Sequence, residues 1–187
     1  ISALRRAISS SGVLAPASVA EIYSETIRAF DLAEQCRTPV VLLYDQVIAQ
    51  LSETVALNDA ARQSATRTWA SGPRADYKPY GGDDIPAMAR PGDGYRVHTT
   101  GLTHSESGFP TQNPEAVTRN LSRLLSKLER HRDLIDSWET VGCDDADVVI
   151  VAIGISARAA RRAVETCRAQ GLKVGLFRPI TLWPFPE

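Results

Sequence analysis

The C-terminal end of the chain contains the pattern that most restricts its fold: a strand, a helix and a second strand in close succession. Residues 147–153 form a short apolar run rich in β-branched side chains, typical of a strand buried on both faces. Ser156 is a plausible N-cap for a helix over about residues 157–170, which Gly171 ends. Residues 172–177 are the second strand. A crossover helix of this length predicts parallel pairing of the two strands in an α/β domain.

This unit is too small to stand alone, because two parallel strands cannot cover both of their faces. We therefore expect further strands from elsewhere in the protein. The first residue is Ile rather than Met, so we also expect that the true start is missing and that the chain is part of a longer polypeptide.

A helix followed by a strand is predicted near the other end of the chain. Ser18 and Glu21 have the spacing of a capping box, and the helix that they open should end near Arg37. Residues 40–44 form another apolar run typical of a buried strand. Asp45 follows this strand directly, where α/β folds often build sites, but a turn or capping role is the commoner one.

A second long helix is predicted from its N-cap, Asn113, to about Trp138, because leucines recur at helical spacing. Its other face is basic, with residues Arg119, Arg123, Lys127, Arg130 and Arg132. A basic face of this kind can bind phosphate. Interleaved with acidic residues it is usually only solvated, and we expect that here.

These elements divide the chain into three predicted regions. Residues 1–54 are expected to be the end of one α/β domain, with residues 1–16 a helix end and a loop. Residues 55–112 form a linker and a loop, with irregular prolines and glycines and a possible short strand over 95–100. Residues 113–187 contain the linking helix and the start of a second α/β domain. Three aromatic residues could anchor the linker to a surface: Trp69, Tyr77 and Tyr80.

Composition excludes several classes of protein. A hydrophobic content of 43% argues against wholesale disorder, and a net charge of −1 gives no sign of a nucleic acid partner. No apolar run approaches the roughly 18 residues of a membrane span, and no signal peptide is visible. Cys36, Cys143 and Cys167 lack C-x-x-C spacing, which argues against disulfides, zinc or an iron–sulfur cluster within the chain. We expect reduced thiols in a cytoplasmic protein.

Few residues carry chemistry that the sequence alone can assign. Gly154 ends a strand as the glycine turn of a nucleotide-binding fold does, but Ser156 and Ala159 replace the later glycines of a dinucleotide fingerprint. His104 lies beside Glu106 in a loop rich in hydroxyl groups, so it is a candidate acid–base or substrate-binding residue. A structural role is commoner for a loop histidine. We assign no catalytic residue beyond this candidate, and no metal site.

Several segments resemble the alpha subunit of the 2-oxoacid:ferredoxin oxidoreductases. Residues 29–33 (AFDLA) and 39–45 (PVVLLYD) are similar to the end of its thiamine diphosphate pyrimidine-binding domain. Residues 100–104 (TGLTH), with Gly108 and Pro110, resemble the loop after that domain.

The resemblance continues to the end of the chain. Residues 171–175 (GLKVG) and 178–186 (RPITLWPFP) resemble the second strand and the following turn of a transketolase C-terminal-like domain. The TLWPFP run is the most specific segment, and the order of all the segments adds to it.

The resemblance implies an enzyme subunit that takes part in the oxidative decarboxylation of a 2-oxoacid. 2-Oxoglutarate is favoured, with branched-chain acids or pyruvate as alternatives. Coenzyme A would take the acyl group, and iron–sulfur clusters in partner subunits would pass electrons to ferredoxin. Thiamine diphosphate and magnesium would lie at the interface with a beta subunit, in a hetero-oligomer that could include a gamma subunit or domain. The glutamate that activates the thiamine ring belongs to an earlier part of the family's domain, so no catalytic residue is carried over to this chain. The fragment alone is expected to hold no cofactor and to be inactive.

Two other functions stay open from the residues alone. The chain could be an α/β ligand- or nucleotide-binding module with its site at the Gly154 turn. It could also be a non-catalytic assembly domain of another transketolase-type thiamine enzyme.

Overall fold

The computed structural model describes residues 11–57, 64–82 and 84–186. In chain order, its strands and helices are β1 (Gly12–Leu14), α1 (Val19–Cys36), β2 (Val40–Leu42), α2 (Gln46–Gln50), a 3₁₀ turn (Arg74–Asp76), α3 (Pro114–Arg130), α4 (Arg132–Ile135), β3 (Trp138–Val141), β4 (Val148–Val151), α5 (Gly154–Ala169), β5 (Val174–Pro179) and β6 (Thr181–Trp183). The predicted α/β class is confirmed.

Helix α1 begins and ends where its sequence predicts. The Ser18 hydroxyl accepts a hydrogen bond from the Glu21 backbone N–H at 3.1 Å, and the Glu21 carboxylate accepts one from the Ala17 N–H at 2.8 Å. These bonds satisfy amide groups that a helix start leaves without intrahelical partners. At the other end Arg37 adopts a left-handed conformation with φ of 46°, which turns the chain into strand β2.

The first sheet combines both ends of the chain, in the order β2-β1-β6. β1 pairs with β2 in parallel and with β6 in the antiparallel direction. The prediction of a helix end and a loop before residue 17 is wrong for residues 12–14, which form β1; residues 1–10 lie outside the described part. Since β6 follows β5 after one residue, the last segment leaves the second sheet and completes the first.

The second sheet has the order β3-β5-β4. β4 and β5 pair in parallel on either side of α5, as predicted. β3 adds an antiparallel neighbour to β5, so this sheet is mixed. The expectation that residues 147–153 are buried on both faces is wrong for Val148 and Val151, which are 60% and 62% exposed. The reason is position: within the part of the chain that the structure describes, β4 lies at the edge of the sheet with β5 as its neighbour.

Three local predictions need correction. Helix α3 ends at Arg130, and Trp138 begins strand β3 instead of ending the helix. Helix α5 starts at Gly154, before the predicted cap Ser156, because a side chain from a distant segment caps it. Residues 95–100 form no strand.

The three aromatic side chains predicted to anchor the irregular linker to a surface contact other residues of the linker itself. The Tyr77 hydroxyl donates to the Ala87 carbonyl and accepts from the Ala89 N–H, at 3.1 and 3.0 Å. The Tyr80 hydroxyl donates to the His98 carbonyl. Trp69 lies under the guanidinium groups of Arg67 and Arg90, an arrangement that favours cation–π attraction.

Each sheet packs on its own cluster of apolar side chains. The first cluster joins helix α1 to helices α3 and α4 and contains Leu14, Ala29, Leu32, Cys36, Leu128 and Ile135. The second lies between helix α5 and the second sheet and contains Ala160, Val164 and Leu176. Within the described residues, no helix combines the length and the apolar character needed to cross a membrane.

Candidate functional site

His104 lies in the loop before helix α3, where polar side chains of the loop and the helix surround it. Its ring is buried and stacks on Tyr80, with centroids 4.7 Å apart and planes 10° from parallel. Its Nε2 lies 2.9 Å from the Thr100 hydroxyl, and its backbone carbonyl accepts a hydrogen bond from the Asn120 side chain at 3.0 Å. Stacking and hydrogen bonding fix the ring, so the side chain has one orientation.

The carboxylate of Glu106 forms its ion pairs with two cations and not with His104. Its carboxylate pairs with Lys78 at 3.0 Å and with Arg119 at 3.2 Å. The hydrogen bond from Lys78 is the main reason that the pKa of Glu106 lies below its ordinary value. Glu106 is therefore an ionised partner of two cations, and it does not form a charged pair with His104.

A small cavity of about 30 Å³ opens beside the histidine. It is lined by Tyr80, His104, Glu106, Arg119 and Arg123, among others. Two arginines of helix α3, Arg119 and Arg123, contribute to its wall. It could hold a water molecule or a small polar group but not a whole substrate.

The Gly154 turn, the alternative site of the sequence, is already occupied by a carboxylate of the same chain. Asp45 Oδ2 accepts a hydrogen bond from the Ile155 backbone N–H at 2.7 Å. Gly154 has φ of +54°, and a Cβ there would overlap the same Asp45 oxygen. An anion at a helix N-terminus is stabilised by the free amide groups and the helix dipole. Asp45 supplies that anion, which argues against a nucleotide phosphate at this turn and confirms a capping role for Asp45.

Three further carboxylates join distant parts of the chain. Arg178, in β5, donates to both oxygens of Glu21 and to Glu139, each at 2.9 Å. Glu53 accepts from the Val19 N–H at 2.9 Å and from Arg158 at 2.8 Å. These bonds connect helix α1 to strands β3 and β5 and to helix α5.

The pKa values in these networks fit ionised carboxylates. Burial alone would raise the pKa of Glu139, but hydrogen bonds from Arg161 and Arg178 outweigh it and hold the pKa below the ordinary value. For Glu53, the backbone bond from Val19 is the largest cause of a lowered pKa. Both carboxylates therefore stay charged at neutral pH and fix the relative positions of the elements that they join.

The cysteines are free, as expected from their spacing. Cys36 is buried, whereas Cys143 and Cys167 are partly buried. Burial raises the pKa of the Cys36 thiol, which keeps it protonated and unreactive at neutral pH. Among residues 11–57, 64–82 and 84–186, no group of three or more His, Cys, Asp or Glu side chains could hold a metal ion, so we assign no metal ligand to them.

Sequence reasoning missed the partners that surround these groups. Tyr80 precedes His104 by 24 positions and lies in a segment without periodicity, so nothing local indicates their stacking. The basic face of helix α3 was expected to be solvated, which is wrong for Lys127: its residue is only 3% exposed. The last turn of the helix packs against Arg37, whose carbonyl accepts a hydrogen bond from the Lys127 ammonium at 3.0 Å. Nothing in the sequence of the helix predicts this contact.

Two protein-family models match the chain. The model described as "Pyruvate flavodoxin/ferredoxin oxidoreductase, thiamine diP-bdg" matches residues 4–123. The model described as "Pyruvate:ferredoxin oxidoreductase core domain II" matches residues 146–187. The two matches follow one another along the chain without overlap.

Curated relatives carry names of the same enzyme group. The 2-oxoglutarate synthase subunit KorA of Methanothermobacter marburgensis is 40% identical over 177 residues, which cover 93% of this chain and 47% of that protein. The ketoisovalerate oxidoreductase subunit VorB of Methanothermobacter thermautotrophicus is 36% identical over 177 residues, covering 94% of this chain and 43% of that protein. The chain thus spans about half the length of the curated relatives that it matches.

A solved structure has the same fold. It is a 2-oxoglutarate:ferredoxin oxidoreductase from Magnetococcus marinus with 2-oxoglutarate, coenzyme A and succinyl-CoA bound, and it covers 94% of this chain and 32% of its own. Sequence identity is 29% and the TM-score is 0.79. The thiamine diphosphate-binding family model covers well over half of the chain, which is enough to assign the chain to that family. The chain belongs to the pyruvate flavodoxin/ferredoxin oxidoreductase family and is similar to its alpha-type subunits.

Proposed function

We propose that the chain is part of the alpha subunit of a thiamine diphosphate-dependent 2-oxoacid:ferredoxin oxidoreductase. The enzyme would decarboxylate a 2-oxoacid and transfer the acyl group to coenzyme A. The two electrons released would pass one at a time through iron–sulfur clusters of partner subunits to ferredoxin. The observation that carries the proposal is the pair of family matches, to the thiamine diphosphate-binding domain and to core domain II, in one chain and in that order.

We propose 2-oxoglutarate as the substrate. The support is the name of the relatives with 37%, 40% and 39% identity, each a 2-oxoglutarate synthase subunit. The related ketoisovalerate enzyme at 36% identity makes a branched-chain 2-oxoacid the competing choice.

We propose that thiamine diphosphate and magnesium lie at the interface with a beta subunit. The support is the match of residues 4–123 to a thiamine diphosphate-binding family model. The helix N-terminus at Gly154 is a poor candidate for the diphosphate, because it carries the Asp45 carboxylate. When bound, thiamine diphosphate supplies the carbanion chemistry, which is the cofactor's own.

The part of the protein described here would then act by positioning. The ion-pair networks of Glu21, Glu139 and Glu53 hold the second sheet against helix α1, and strand β6 completes the first sheet. Correct orientation of reacting groups contributes several kcal/mol to catalysis in enzymes generally. We propose that residues 1–54 are the end of the pyrimidine-binding domain and that residues 55–112 are a linker and loop. Residues 113–187 would then contain the linking helix and the start of the second domain.

The test is an activity assay on the full-length subunit coexpressed with its partner subunits. We expect reduction of ferredoxin that requires 2-oxoglutarate, coenzyme A and added thiamine diphosphate, and that is at least about tenfold slower with pyruvate or 2-oxoisovalerate, the discrimination that roughly 1.4 kcal/mol gives. A preference for 2-oxoisovalerate would change the substrate and leave the reaction class intact. Absence of activity with all three acids, in a preparation that holds thiamine diphosphate and iron–sulfur clusters, would refute the proposal.

The same assay tests His104, which we propose as a positioning residue of its loop. His104→Gln should lower kcat/KM for the 2-oxoacid with unchanged cofactor content. Its control is His131→Gln, since His131 pairs with Asp84 and lies outside the small cavity. Equal effects of both variants would argue against a specific role for His104.

A further inference from the structure

A second cavity, of about 110 Å³, lies between helix α3 and the segment around Pro86. Three cationic side chains line it: Arg37, Arg123 and Lys127. The rest of its wall is formed mainly by Tyr80, Pro86 and Leu124. It is large enough for several water molecules, and therefore for a tetrahedral oxyanion.

The three cations bond only to neutral groups within the described residues. Arg37 donates to the carbonyls of Pro79 and Pro86 at 2.8 and 3.2 Å. Lys127 donates to the carbonyl of Arg37 at 3.0 Å. All of these acceptors are backbone carbonyl oxygens, which carry no formal negative charge.

Arg123 follows the same rule, with the Asp84 carbonyl at 3.2 Å and the Asn120 side-chain oxygen at 2.6 Å as its acceptors. The Asp84 carboxylate is engaged elsewhere, by His131 at 2.9 Å and by Arg130 at 3.4 Å. The cavity therefore carries three positive charges without a carboxylate of its own among the described residues.

This arrangement is costly without an anion. Burial of a charged group without a counter-charge is strongly unfavourable, and Lys127 is only 3% exposed. Burial is the main reason that the pKa of Lys127 falls to about 8; Arg123 and Arg37 lower it further, whereas Cys36 and Asp84 oppose the shift. Burial is also the largest cause of the lowered pKa of Arg123, and Arg37 and Arg130 add to it.

We infer that the cavity between Arg37, Arg123 and Lys127 binds a phosphate-type dianion, either the free ion or the phosphate group of an organic molecule. Guanidinium forks and an ammonium are the side chains that recognise phosphate oxygens most effectively. A dianion would neutralise two of the three charges and supply the acceptors that the cations lack. The inference does not depend on the proposed activity, and a binding measurement can fail while the enzyme remains active.

The test is calorimetric titration of the full-length protein, copurified with its partner subunits, with inorganic phosphate at pH 7 in a buffer free of other oxyanions. We expect one saturable site. Lys127→Met and Arg123→Gln should each weaken binding about tenfold or more, as expected for loss of one charge-assisted hydrogen bond. The control is Arg162→Gln, because Arg162 lies on the exposed side of helix α5, where it pairs with Glu165.

Two further titrations identify the source of the phosphate. Adenosine 3′,5′-bisphosphate binding at least about tenfold tighter than phosphate would assign the site to an organic phosphate, and equal affinities would assign it to the free ion. Tighter binding of succinate than of either would overturn the phosphate assignment. Absence of saturable binding, or the same loss in the Arg162 control, would overturn the site itself. If Lys127→Met does not fold, Arg123→Gln alone decides.

Discussion

The Arg178 bridge provides the sharpest test of how the two sheets are joined. Arg178 is 5% exposed and donates three hydrogen bonds of 2.9 Å to Glu21 and Glu139. Burial alone would lower its pKa, but its hydrogen bonds to the two glutamates outweigh burial and raise it. Arg178→Met removes the charge and all three bonds while retaining the unbranched apolar part of the side chain.

The expected cost follows from the exposure of the partners. Three charge-assisted bonds at about 1.5–3 kcal/mol each would give an upper bound near 5–9 kcal/mol. Glu21 and Glu139 are 32% and 34% exposed at their side chains, so water replaces part of what they lose. We therefore expect the free energy of unfolding to fall by about 3 kcal/mol, which is at the lower end of the range for a broken buried ion pair.

Urea unfolding of the full-length protein, followed by circular dichroism, measures this cost. Arg162→Gln is the matched control, because its pair with Glu165 is exposed and should contribute less than about 0.5 kcal/mol. Limited proteolysis should also cleave the C-terminal segment of the Arg178 variant faster, since β6 depends on the position of β5. An Arg178→Met variant as stable as the Arg162 control would refute the reasoning.

Two further substitutions test the buried charge and the capped turn. In anion-free buffer, Lys127→Met should raise the free energy of unfolding by about 3 kcal/mol at pH 7, because a pKa lowered from 10.5 to about 8 costs about 1.4 kcal/mol per unit. Wild-type stability should itself rise from pH 8 towards 9, because Lys127 loses its proton there in the folded state but not in the unfolded state. Above about pH 9, Cys36 opposes this rise. Its pKa is raised in the folded state, so its thiol ionises first in the unfolded state. Urea unfolding between pH 7 and 9 checks both statements, and a variant less stable than wild type at pH 7 would contradict them. Gly154→Ala should lower the free energy of unfolding by about 2 kcal/mol or more, because an alanine is strained at φ of +54° and its Cβ meets the Asp45 carboxylate. The control Ala159→Gly, on the exposed side of the same helix, should lower it by only about 1 kcal/mol. Equal losses in the two variants would argue against the contact.

Local signals explain which elements could be predicted from sequence. Helix α1 carries its own cap in Ser18 and Glu21, and the β4–α5–β5 unit has the apolar runs and the helix length that determine parallel pairing. β1, β3 and β6 were missed, because they lack the continuous apolar runs that marked β2 and β4. Their pairing depends on neighbours far away in the sequence.

The contacts that shape the site are also non-local. Asp45 caps a helix that starts more than a hundred positions later, and Arg178 binds Glu21 across 157 positions. A single sequence gives no sign of such partners, although it identified Asp45 itself as a residue of interest. For Lys127 the sequence prediction was wrong: its position on the helix predicted exposure to solvent, but packing against Arg37 buries it.

The most direct test of the central claim is the carbon and electron balance of the purified assembly that contains the full-length subunit. With 2-oxoglutarate, coenzyme A and thiamine diphosphate, we predict one CO₂ and one acyl-CoA formed for every two ferredoxins reduced. Ferredoxin reduction that needs no thiamine diphosphate, or an assembly complete in cofactors that turns over no 2-oxoacid, would contradict the assignment.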